Sequence, residues 1–279
     1  MTFSVDGKTR LLGLFGYPVK HTASPTMQNA AFDALKLNYL YLPFEVSPNH
    51  LEKAITSLRA LNFIGVNVTV PYKQDVIPFL DGISGEARLI GAVNTIKVDG
   101  KRLVGHNTDG RGFVRALKED EGFELKGKKM LLIGAGGAGR AVAVQCGLDG
   151  AGHIFIMDEQ EARAKALAAH IGSKIPGCEA SCVTVKDGSL AAAAQEADLV
   201  VDATPLGMNA SDPIAIDPAL LDKGTMVVDL VYNPPETKLL RAAHKRGCKV
   251  MNGTGMLLYQ GAIALEIWTG RKAPVEVMR

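Results

Sequence analysis

Polar and charged side chains gather in the stretch NVTVPYK, residues 67–73. Alternating polar and apolar residues predict a strand over residues 63–70, with Asn67 and Thr69 on one face and Lys73 just past its end. Ligands of parallel α/β sheets lie outside the carboxyl ends of the strands. Lys73 is therefore a candidate for contact with a ligand, with a solvated loop lysine as the plain alternative.

Two further stretches close predicted strands with polar side chains, GAVNT at residues 91–95 and HNTDG at residues 106–110. Asn94 and Asp109 stand at these ends, so they could line one small polar pocket together with Lys73. Each also has a structural interpretation, because Asn94 could satisfy loop backbone groups and Asp109 could cap the helix that follows it. The stretches predict a polar site without deciding its ligand.

A glycine-rich loop follows a buried strand predicted over residues 129–133. Gly134, Gly136 and Gly139 fit the pattern G-x-G-x-x-G, and an uninterrupted helix comes after them. In dinucleotide-binding folds the three glycines permit a tight turn, the approach of a pyrophosphate and close helix–strand packing, respectively. A glycine-rich turn without a ligand is the alternative. An acid at about the expected spacing of ~20 residues, Asp158, favours the dinucleotide.

Asp158 ends the predicted strand over residues 153–157, and Glu159 follows it. A carboxylate at this place in the fold accepts hydrogen bonds from the hydroxyls of the adenosine ribose and repels a 2′-phosphate. Arg163 is the nearest base, about one helical turn further on, where it could pair with Glu159. These residues favour a cofactor without the 2′-phosphate.

Strand and helix patterns alternate along the whole chain, which predicts an α/β fold with covered, mostly parallel sheets. Two domains are expected. The first is an N-terminal, mostly parallel α/β substrate-binding domain, residues 1–108 plus 253–279. The second is a doubly wound, Rossmann-type dinucleotide-binding domain, residues 109–252. The last helix, predicted over residues 255–269, is assigned to the first domain because it begins where the second sheet runs out.

The composition narrows the function class. With 31 basic and 29 acidic residues the formal net charge is +2, which gives no reason to expect a nucleic-acid or membrane partner. No apolar run approaches the ~20 residues of a membrane-spanning helix, and the N-terminus lacks a signal-peptide pattern. The four cysteines are scattered and the six histidines lack ligand spacing, so no metal is expected. We expect a cytoplasmic monomer or homodimer that binds small molecules.

Eight motifs resemble, in their order, those of the shikimate dehydrogenase family, which includes the quinate/shikimate dehydrogenases. They are GYPVKHTASP, NVTVPYK, GAVNT, NTDG, GAGGAGRA, ATPLGM, DLVYNP and GTGMLLYQGA. The resemblance spans almost the whole chain. It implies hydride transfer between a secondary alcohol and a nicotinamide cofactor, with removal of the hydroxyl proton.

The resemblance also implies roles for individual residues. The acid/base pair at the reacting hydroxyl would be Lys73 and Asp109. The ring hydroxyls would be held by Asn67, Asn94, Asp109 and Gln260, and the carboxylate by Thr22, Ser24 and Thr69, with help from Tyr232. The cofactor would be bound by Gly134, Gly136, Gly137, Ala138, Gly139, Asp158, Thr204, Leu206, Met208 and Gly253.

One departure from the family concerns the carboxylate-binding motif. Members usually carry two serines as S-x-S, where this chain has Thr22-Ala23-Ser24. The added methyl group would penalise quinate, which is tetrahedral where shikimate is flat, so shikimate is the expected substrate. Quinate and an aminoshikimate stay open as alternatives. Ser24 could also serve only as the N-cap of a helix that Pro25 continues.

A second departure concerns the cofactor. NADP-using members typically carry Asn-Arg-Thr where this chain has Asp158-Glu159-Gln160. The arginine that pairs with the 2′-phosphate is replaced by an acid, so we expect NAD to be preferred, with NADP possible but weaker.

Two other hypotheses compete with the dehydrogenase. A non-catalytic, regulatory dinucleotide-binding protein could keep the scaffold, but the presence of both Lys73 and Asp109 argues against it. An oxidoreductase of the same two-domain shape could act on a methylene-folate. The polar residues expected to bind the substrate suit a small hydroxy-carboxylate better than a large pterin.

Overall fold

The computed structural model describes residues 5–20 and 22–279. The chain divides into two compact units, one made of residues up to Gly112 together with Leu258–Arg279, the other of Phe113–Leu257. The boundaries predicted from the sequence lie a few residues earlier. Both junctions fall inside continuous helices, so no linker composition marks them.

The first unit is built on one six-stranded sheet. Its strands are β1 (Arg10–Gly16), β2 (Tyr39–Glu45), β3 (Gly65–Val68), β4 (Gly82–Ile83), β5 (Thr95–Asp99) and β6 (Arg102–His106), in the order β2-β1-β3-β5-β6-β4. β1 is parallel to β2 and β3, and β4 is parallel to β6. β5 is antiparallel to both of its neighbours. The sheet is therefore mixed, and β5 and β6 form an antiparallel hairpin.

Helices cover this sheet and supply its core. They are α1 (Ser24–Ala34), α2 (Leu51–Ala60), α3 (Gly85–Ile90) and the start of α4 (Asp109–Glu121). α2 buries Leu51, Ile55 and Leu58, the apolar face that the 3.6-residue period predicts. These side chains join a cluster that includes Phe15 and Val66 of the sheet.

The second unit is built on an all-parallel sheet. Its elements in chain order are β7 (Lys129–Ile133), α5 (Gly137–Leu148), β8 (His153–Met157), α6 (Glu161–Lys174), β9 (Glu179–Cys182), α7 (Ser189–Glu196), β10 (Leu199–Asp202), β11 (Met226–Asp229), α8 (Lys238–Lys245) and β12 (Lys249–Met251). The strand order is β12-β11-β10-β7-β8-β9, and every neighbouring pair is parallel. This is the doubly wound, Rossmann-type arrangement predicted from the sequence.

Two last helices, α9 (Thr254–Thr269) and α10 (Val275–Met278), complete the chain. The part of α9 after residue 257 packs on the first sheet, where the indole N–H of Trp268 donates to the carbonyl of Ile96 at 3.0 Å. Leu265 and Trp268 share a buried cluster with Leu12 and Phe32. The predicted return of the last helix to the first unit is confirmed.

Some predicted elements were wrong in extent or missing. The strand expected over residues 63–70 covers only Gly65–Val68. The helices α3 and α8 were not predicted. Both are short, six and eight residues.

Candidate active site

Lys73 and Asp109 form an ion pair in the first unit. Lys73 lies in the turn after β3, and Asp109 is the first residue of α4. The Lys73 Nζ is 2.7 Å from the Asp109 Oδ2, and the two side chains are 25% and 9% exposed. Lys73 is therefore not a freely solvated loop lysine, yet its exposed part leaves it within reach of a ligand.

Asn94 holds the second oxygen of Asp109. Its Nδ2 donates to the Asp109 Oδ1 at 2.8 Å and to the Thr108 Oγ1 at 2.9 Å. Its Oδ1 accepts from the Thr108 N–H at 2.8 Å and from the Thr95 hydroxyl at 3.0 Å. The buried amide of Asn94 thus uses both hydrogens and both lone pairs within the protein. In this geometry Asn94 orients Asp109. To contact a ring hydroxyl of a substrate, Asn94 would have to give up one of these four hydrogen bonds.

Asn67, a buried residue of β3, extends the same network. Its Nδ2 donates to the carbonyl of Asn94 at 3.1 Å and to the Thr95 Oγ1 at 3.0 Å. Its Oδ1 accepts from the hydroxyl of Tyr41, a residue of β2, at 2.7 Å. Because β1, β2 and β3 are parallel neighbours in the sheet, these side chains are carried to one place by strand register.

Thr22, Ser24 and Thr69 supply hydroxyl groups in the first unit. The prediction that Ser24 caps α1 is wrong, because the capping position is Ala23 and no side chain caps the helix. The Ser24 N–H instead donates to the Thr22 Oγ1 at 3.2 Å. Thr69 is half-buried and its N–H donates to the carbonyl of Phe15 at 2.9 Å. Thr22 and Ser24 thus stand at a helix N-terminus, a place that favours an anion.

Gln260 is positioned by close helix packing. A β-carbon on Gly112 would stand 2.5 Å from the backbone nitrogen of Gln260, so α4 and α9 approach each other this closely because residue 112 is glycine. Gly112 lies one turn after Asp109, which places Gln260 against the first turn of α4. On the other side, the Nε2 of Gln28 in α1 donates to the carbonyl of Gly261 at 2.9 Å. Three helices therefore converge around Gln260.

The first unit brings together a cation, a carboxylate, amides and hydroxyls, which is what a small polar molecule needs for binding and proton transfer. Tyr232 is the exception among the predicted substrate-binding residues. It belongs to the second unit, and the residue is 44% exposed. The geometry of the first unit therefore gives no support to its predicted role.

The glycine loop of the second unit has the geometry of a dinucleotide cradle. Gly134 has a φ of +94°, which a residue with a side chain rarely adopts. A β-carbon on Gly139 would overlap the carbonyl oxygen of Gly134, so the third glycine permits the close packing of α5 on β7. Gly136 precedes α5, and Gly136, Gly137 and Ala138 leave the helix start open to solvent. The N–H groups at this start can bind a pyrophosphate.

Asp158 is fixed beside this loop. Its Oδ2 accepts from the N–H of Ala135 at 2.7 Å, and its Oδ1 from the N–H of Gln160 at 2.8 Å. A cavity of about 290 Å³ opens here. Its lining includes Gly134, Gly136, Asp158, Glu159, Arg163, Thr204 and Leu206. The loops after β7, β8 and β10 therefore meet around one cavity, as a doubly wound nucleotide site requires.

Known proteins share both parts of this arrangement. Residues 14–96 match the shikimate dehydrogenase substrate binding domain, and residues 253–279 match the shikimate 5′-dehydrogenase C-terminal domain. Residues 130–211 match the NADP binding domain of saccharopine dehydrogenase. A shikimate dehydrogenase (NADP(+)) from Desulforamulus reducens is 51% identical over 277 residues, covering 99% of this chain and 95% of the relative. The chain belongs to the shikimate dehydrogenase family.

Solved structures of similar sequence have the same fold. A shikimate 5-dehydrogenase from Listeria monocytogenes, in complex with shikimate and NAD, superimposes with a TM-score of 0.94 at 39% identity, covering 100% of this chain and 98% of that one. A quinate dehydrogenase from Corynebacterium glutamicum, in complex with NAD, has a TM-score of 0.87 at 34% identity, covering 97% of each chain. The family resemblance read from the eight motifs is confirmed.

The remaining predicted cofactor residues of this shikimate dehydrogenase family member lie at different places. Thr204 and Leu206 line the cavity beside Asp158, and the Leu206 N–H donates to the Thr204 Oγ1 at 3.2 Å. Met208 is 59% exposed and Gly253 is buried before α9, and neither contributes to the lining of that cavity. Of these four residues, Thr204 and Leu206 have positions beside the cavity that support their predicted roles, and Met208 and Gly253 do not.

Two buried aspartates in the second unit were not predicted. Asp202 and Asp229 end β10 and β11 and are partners in the strand register. Asp202 accepts from both the N–H and the hydroxyl of Thr204, at 2.9 and 2.7 Å. Burial raises the pKa of Asp202 to about 7, and the charge of Asp229 adds to that rise. The available signal was an acid after an apolar pair in both VVDAT and VVDLV.

The described parts of the chain show neither a metal-ligand cluster nor a membrane-spanning helix. Within residues 5–20 and 22–279, no three His, Cys, Asp or Glu side chains are grouped as metal ligands. His21, one of the six histidines, lies outside the described residues. All four cysteines are free. No helix in the described ranges combines the length and apolar character needed to cross a membrane.

Proposed function

We propose that this protein interconverts shikimate and 3-dehydroshikimate, a reaction of aromatic amino-acid biosynthesis, and that it prefers NAD to NADP. The Lys73–Asp109 ion pair, held by the buried amide of Asn94, is the observation that carries the proposed activity. When bound, the nicotinamide ring supplies the hydride acceptor or donor. The hydroxyl proton is left to groups of the protein.

Lys73 is suited to moving that proton. In the direction of ketone reduction, its ammonium donates a proton to the oxygen that gains negative charge. In the direction of alcohol oxidation, its neutral amine takes the proton back. Asp109 lies 2.7 Å away, so its carboxylate orients the lysine side chain. Asp109 also keeps lone pairs with which it can accept a hydrogen bond from a ring hydroxyl.

Thr22 supports shikimate as the substrate. It is half-buried, and its hydroxyl accepts from the N–H of Ser24 at the start of α1. Its γ-methyl group occupies space that a serine would leave open. A flat carboxylate-bearing carbon, as in shikimate, suits such a confined site better than the tetrahedral carbon of quinate. The quinate dehydrogenase relative has 34% identity, so quinate is retained as the second candidate.

The charges around Asp158 support the preference for NAD. Asp158 is fixed by two backbone N–H groups, and Glu159 lines the same cavity. A 2′-phosphate would lie beside two carboxylates there, and the like charges would repel each other. Arg163 also lines the cavity. In the described structure it makes no ion pair with Glu159. The cavity lining therefore has one positive and two negative side chains. This net negative charge opposes the binding of a 2′-phosphate.

Family membership alone does not choose the cofactor. The Desulforamulus relative is named for NADP, whereas the Listeria structure contains NAD. The proposed preference for NAD therefore rests on Asp158 and Glu159, the residues that follow β8 in this chain.

A substrate panel tests the proposed activity. Shikimate, quinate and an aminoshikimate are each assayed for oxidation with NAD and with NADP, and kcat/KM is measured for every pair. We expect the highest value for shikimate with NAD. A higher value for quinate would overturn the substrate assignment. Binding of NAD without turnover of any of the three would favour the non-catalytic regulator.

A further inference from the structure

The hydroxyl of Tyr41 adjoins the proposed substrate site, but no step of the proposed chemistry uses it. Tyr41 is 0% exposed, and its hydroxyl donates to the Asn67 Oδ1 at 2.7 Å. Burial raises the pKa of Tyr41, and a side-chain hydrogen bond with Ser24 acts in the opposite direction. The phenol therefore stays neutral and can act as a hydrogen-bond donor.

The backbone of Tyr41 is also held in place. Its N–H donates to the Asn29 Oδ1 at 2.8 Å, and its carbonyl accepts from the Asn29 Nδ2 at 2.9 Å. Its ring lies 6.1 Å from that of Trp268. The hydroxyl is thus presented to Asn67 from a rigid position, so it can fix the orientation of the Asn67 side chain.

The hydrogen-bonding capacity of Asn67 is almost used up. Both amide hydrogens are engaged, one by the carbonyl of Asn94 and one by the Thr95 Oγ1. An amide oxygen has two lone pairs, and Tyr41 occupies one of them. Asn67 can therefore accept one more hydrogen bond and can donate none.

We propose that Tyr41 is a positioning and specificity-determining residue. Its hydroxyl fixes the Asn67 amide so that only one acceptor position, on Oδ1, is left for the substrate. The substrate must therefore present a hydrogen-donating ring substituent there. A hydroxyl or an ammonium meets this requirement, and an ether, a ketone or a fluorine does not. Leaving a buried acceptor site without its partner is costly, so the requirement becomes discrimination between substrates. This inference rests on the proposed function.

The test compares Tyr41→Phe with the wild type and with Tyr39→Phe. Tyr39 is on the same strand, packs edge-on against Phe32, and its hydroxyl makes no hydrogen bond to any described residue. Each enzyme is assayed with shikimate and with two analogues in which one or the other non-reacting ring hydroxyl is replaced by fluorine. The KM for NAD and the pH profile are measured as well.

In the wild type, fluorine at one of the two positions should lower kcat/KM about tenfold or more. Tyr41→Phe should raise the KM for shikimate about five- to tenfold, with little change in kcat, in the KM for NAD or in the pH profile. The fluorine penalty at that position should shrink to about threefold or less, whereas Tyr39→Phe should match the wild type. A merely structural role for Tyr41 would not change the fluorine penalty.

Equal fluorine penalties in the wild type and Tyr41→Phe at both positions would overturn the inference, and so would an unchanged KM for shikimate. If Tyr41→Phe does not fold, Thr95→Val decides. Thr95→Val removes the acceptor of one Asn67 amide hydrogen, so Asn67 can donate to the substrate and the fluorine penalty should shrink. An unchanged fluorine penalty would overturn the inference. Failure of the wild type to oxidise shikimate with either cofactor would instead contradict the proposed function.

Discussion

At Lys73 and Asp109, a partly exposed ammonium meets a nearly enclosed carboxylate. One oxygen of Asp109 is held by Asn94 and the other contacts Lys73. Since Asp109 has two fixed partners and Lys73 reaches solvent, the lysine is the member of the pair that can move toward a ligand. We therefore propose that Asp109 anchors the pair and that Lys73 is the group that transfers the proton.

Lys73→Ala should lower kcat roughly 100- to 10,000-fold, the range that general acid–base catalysis supplies. Shikimate should still bind within roughly tenfold of the wild-type affinity, because the amides and hydroxyls remain. Steady-state kinetics and calorimetric titration measure the two effects separately. Lys118→Ala is the matched control, because Lys118 also has an ion-pair partner, Glu124, but is 65% exposed. Turnover by Lys73→Ala at the wild-type rate would remove Lys73 from the mechanism.

At the scale of secondary-structure elements, the ends of strands explain why much of the site could be predicted. Asn67 and Asp109 stand at or just beyond the carboxyl end of a strand, which is where ligands bind. The expectation that Asn94 closes a strand was wrong, because Asn94 directly precedes β5, whose antiparallel direction brings its first residue beside Asn67. The glycine loop and Asp158 were predicted for the same reason, since a strand, a turn and a helix follow one another within a short stretch of sequence.

What could not be predicted depends on register and packing between distant parts of the chain. Tyr41 and Asn67 are 26 residues apart and meet because their strands both pair with β1. Nothing in the local pattern of β2 marks Tyr41. The neighbouring positions of Asp202 and Asp229 likewise follow from the register of β10 and β11. Local periodicity contains no information about such pairings.

The contact between α4 and α9 should be sensitive to a single methyl group. Gly112→Ala places a β-carbon 2.5 Å from the backbone nitrogen of Gln260, so the helices must separate, at a cost of about 1–3 kcal/mol. We expect the KM for shikimate to rise about tenfold while the KM for NAD is unchanged.

The control for this prediction is Gly172→Ala in α6, where an added β-carbon would meet nothing within 4 Å. That variant should be as stable as the wild type or slightly more stable, because alanine is the better helix former. Equal kinetics and equal thermal stability for the two variants would show that the approach at Gly112 does not matter.

The loop after β8 should be convertible to NADP use. Asp158→Asn combined with Glu159→Arg removes two negative charges from the cavity and adds a guanidinium that can pair with a 2′-phosphate. The ratio of kcat/KM for NADP over NAD should rise roughly 30-fold or more. The two single variants serve as controls and should each give a smaller shift. An unchanged ratio in the double variant would mean that other residues select the cofactor.

At the scale of the whole molecule, each unit supplies one part of the proposed reaction. The discontinuous first unit contains the Lys73–Asp109 pair, and the second contains the glycine loop and Asp158. The second unit also contains the buried pair of Asp202 and Asp229, which makes the stability of the molecule depend on pH.

The sign of this dependence follows from the raised pKa of Asp202, about 7 in the folded protein against 3.8 in the unfolded chain. Between these values the folded state holds a proton that the unfolded state releases, so the free energy of unfolding falls as pH rises. Asp202→Asn removes this titration and keeps an acceptor for Thr204. The free energy of unfolding of Asp202→Asn minus that of the wild type should therefore be about 2–3 kcal/mol larger at pH 7 than at pH 5.

Urea denaturation of both proteins at the two pH values measures the difference. Asp33→Asn, a change at an exposed residue of α1, should show no such trend. Parallel behaviour of Asp202→Asn and the wild type would contradict the account of the buried pair.

The wild-type kcat/KM for shikimate oxidation, measured with NAD and with NADP under the same conditions, decides whether this protein is the NAD-preferring shikimate dehydrogenase that we propose. We expect the value for NAD to be at least about tenfold higher, because two carboxylates and one arginine line the cavity beside the glycine loop. A higher value with NADP would show that the protein prefers NADP and that the proposed cofactor is wrong.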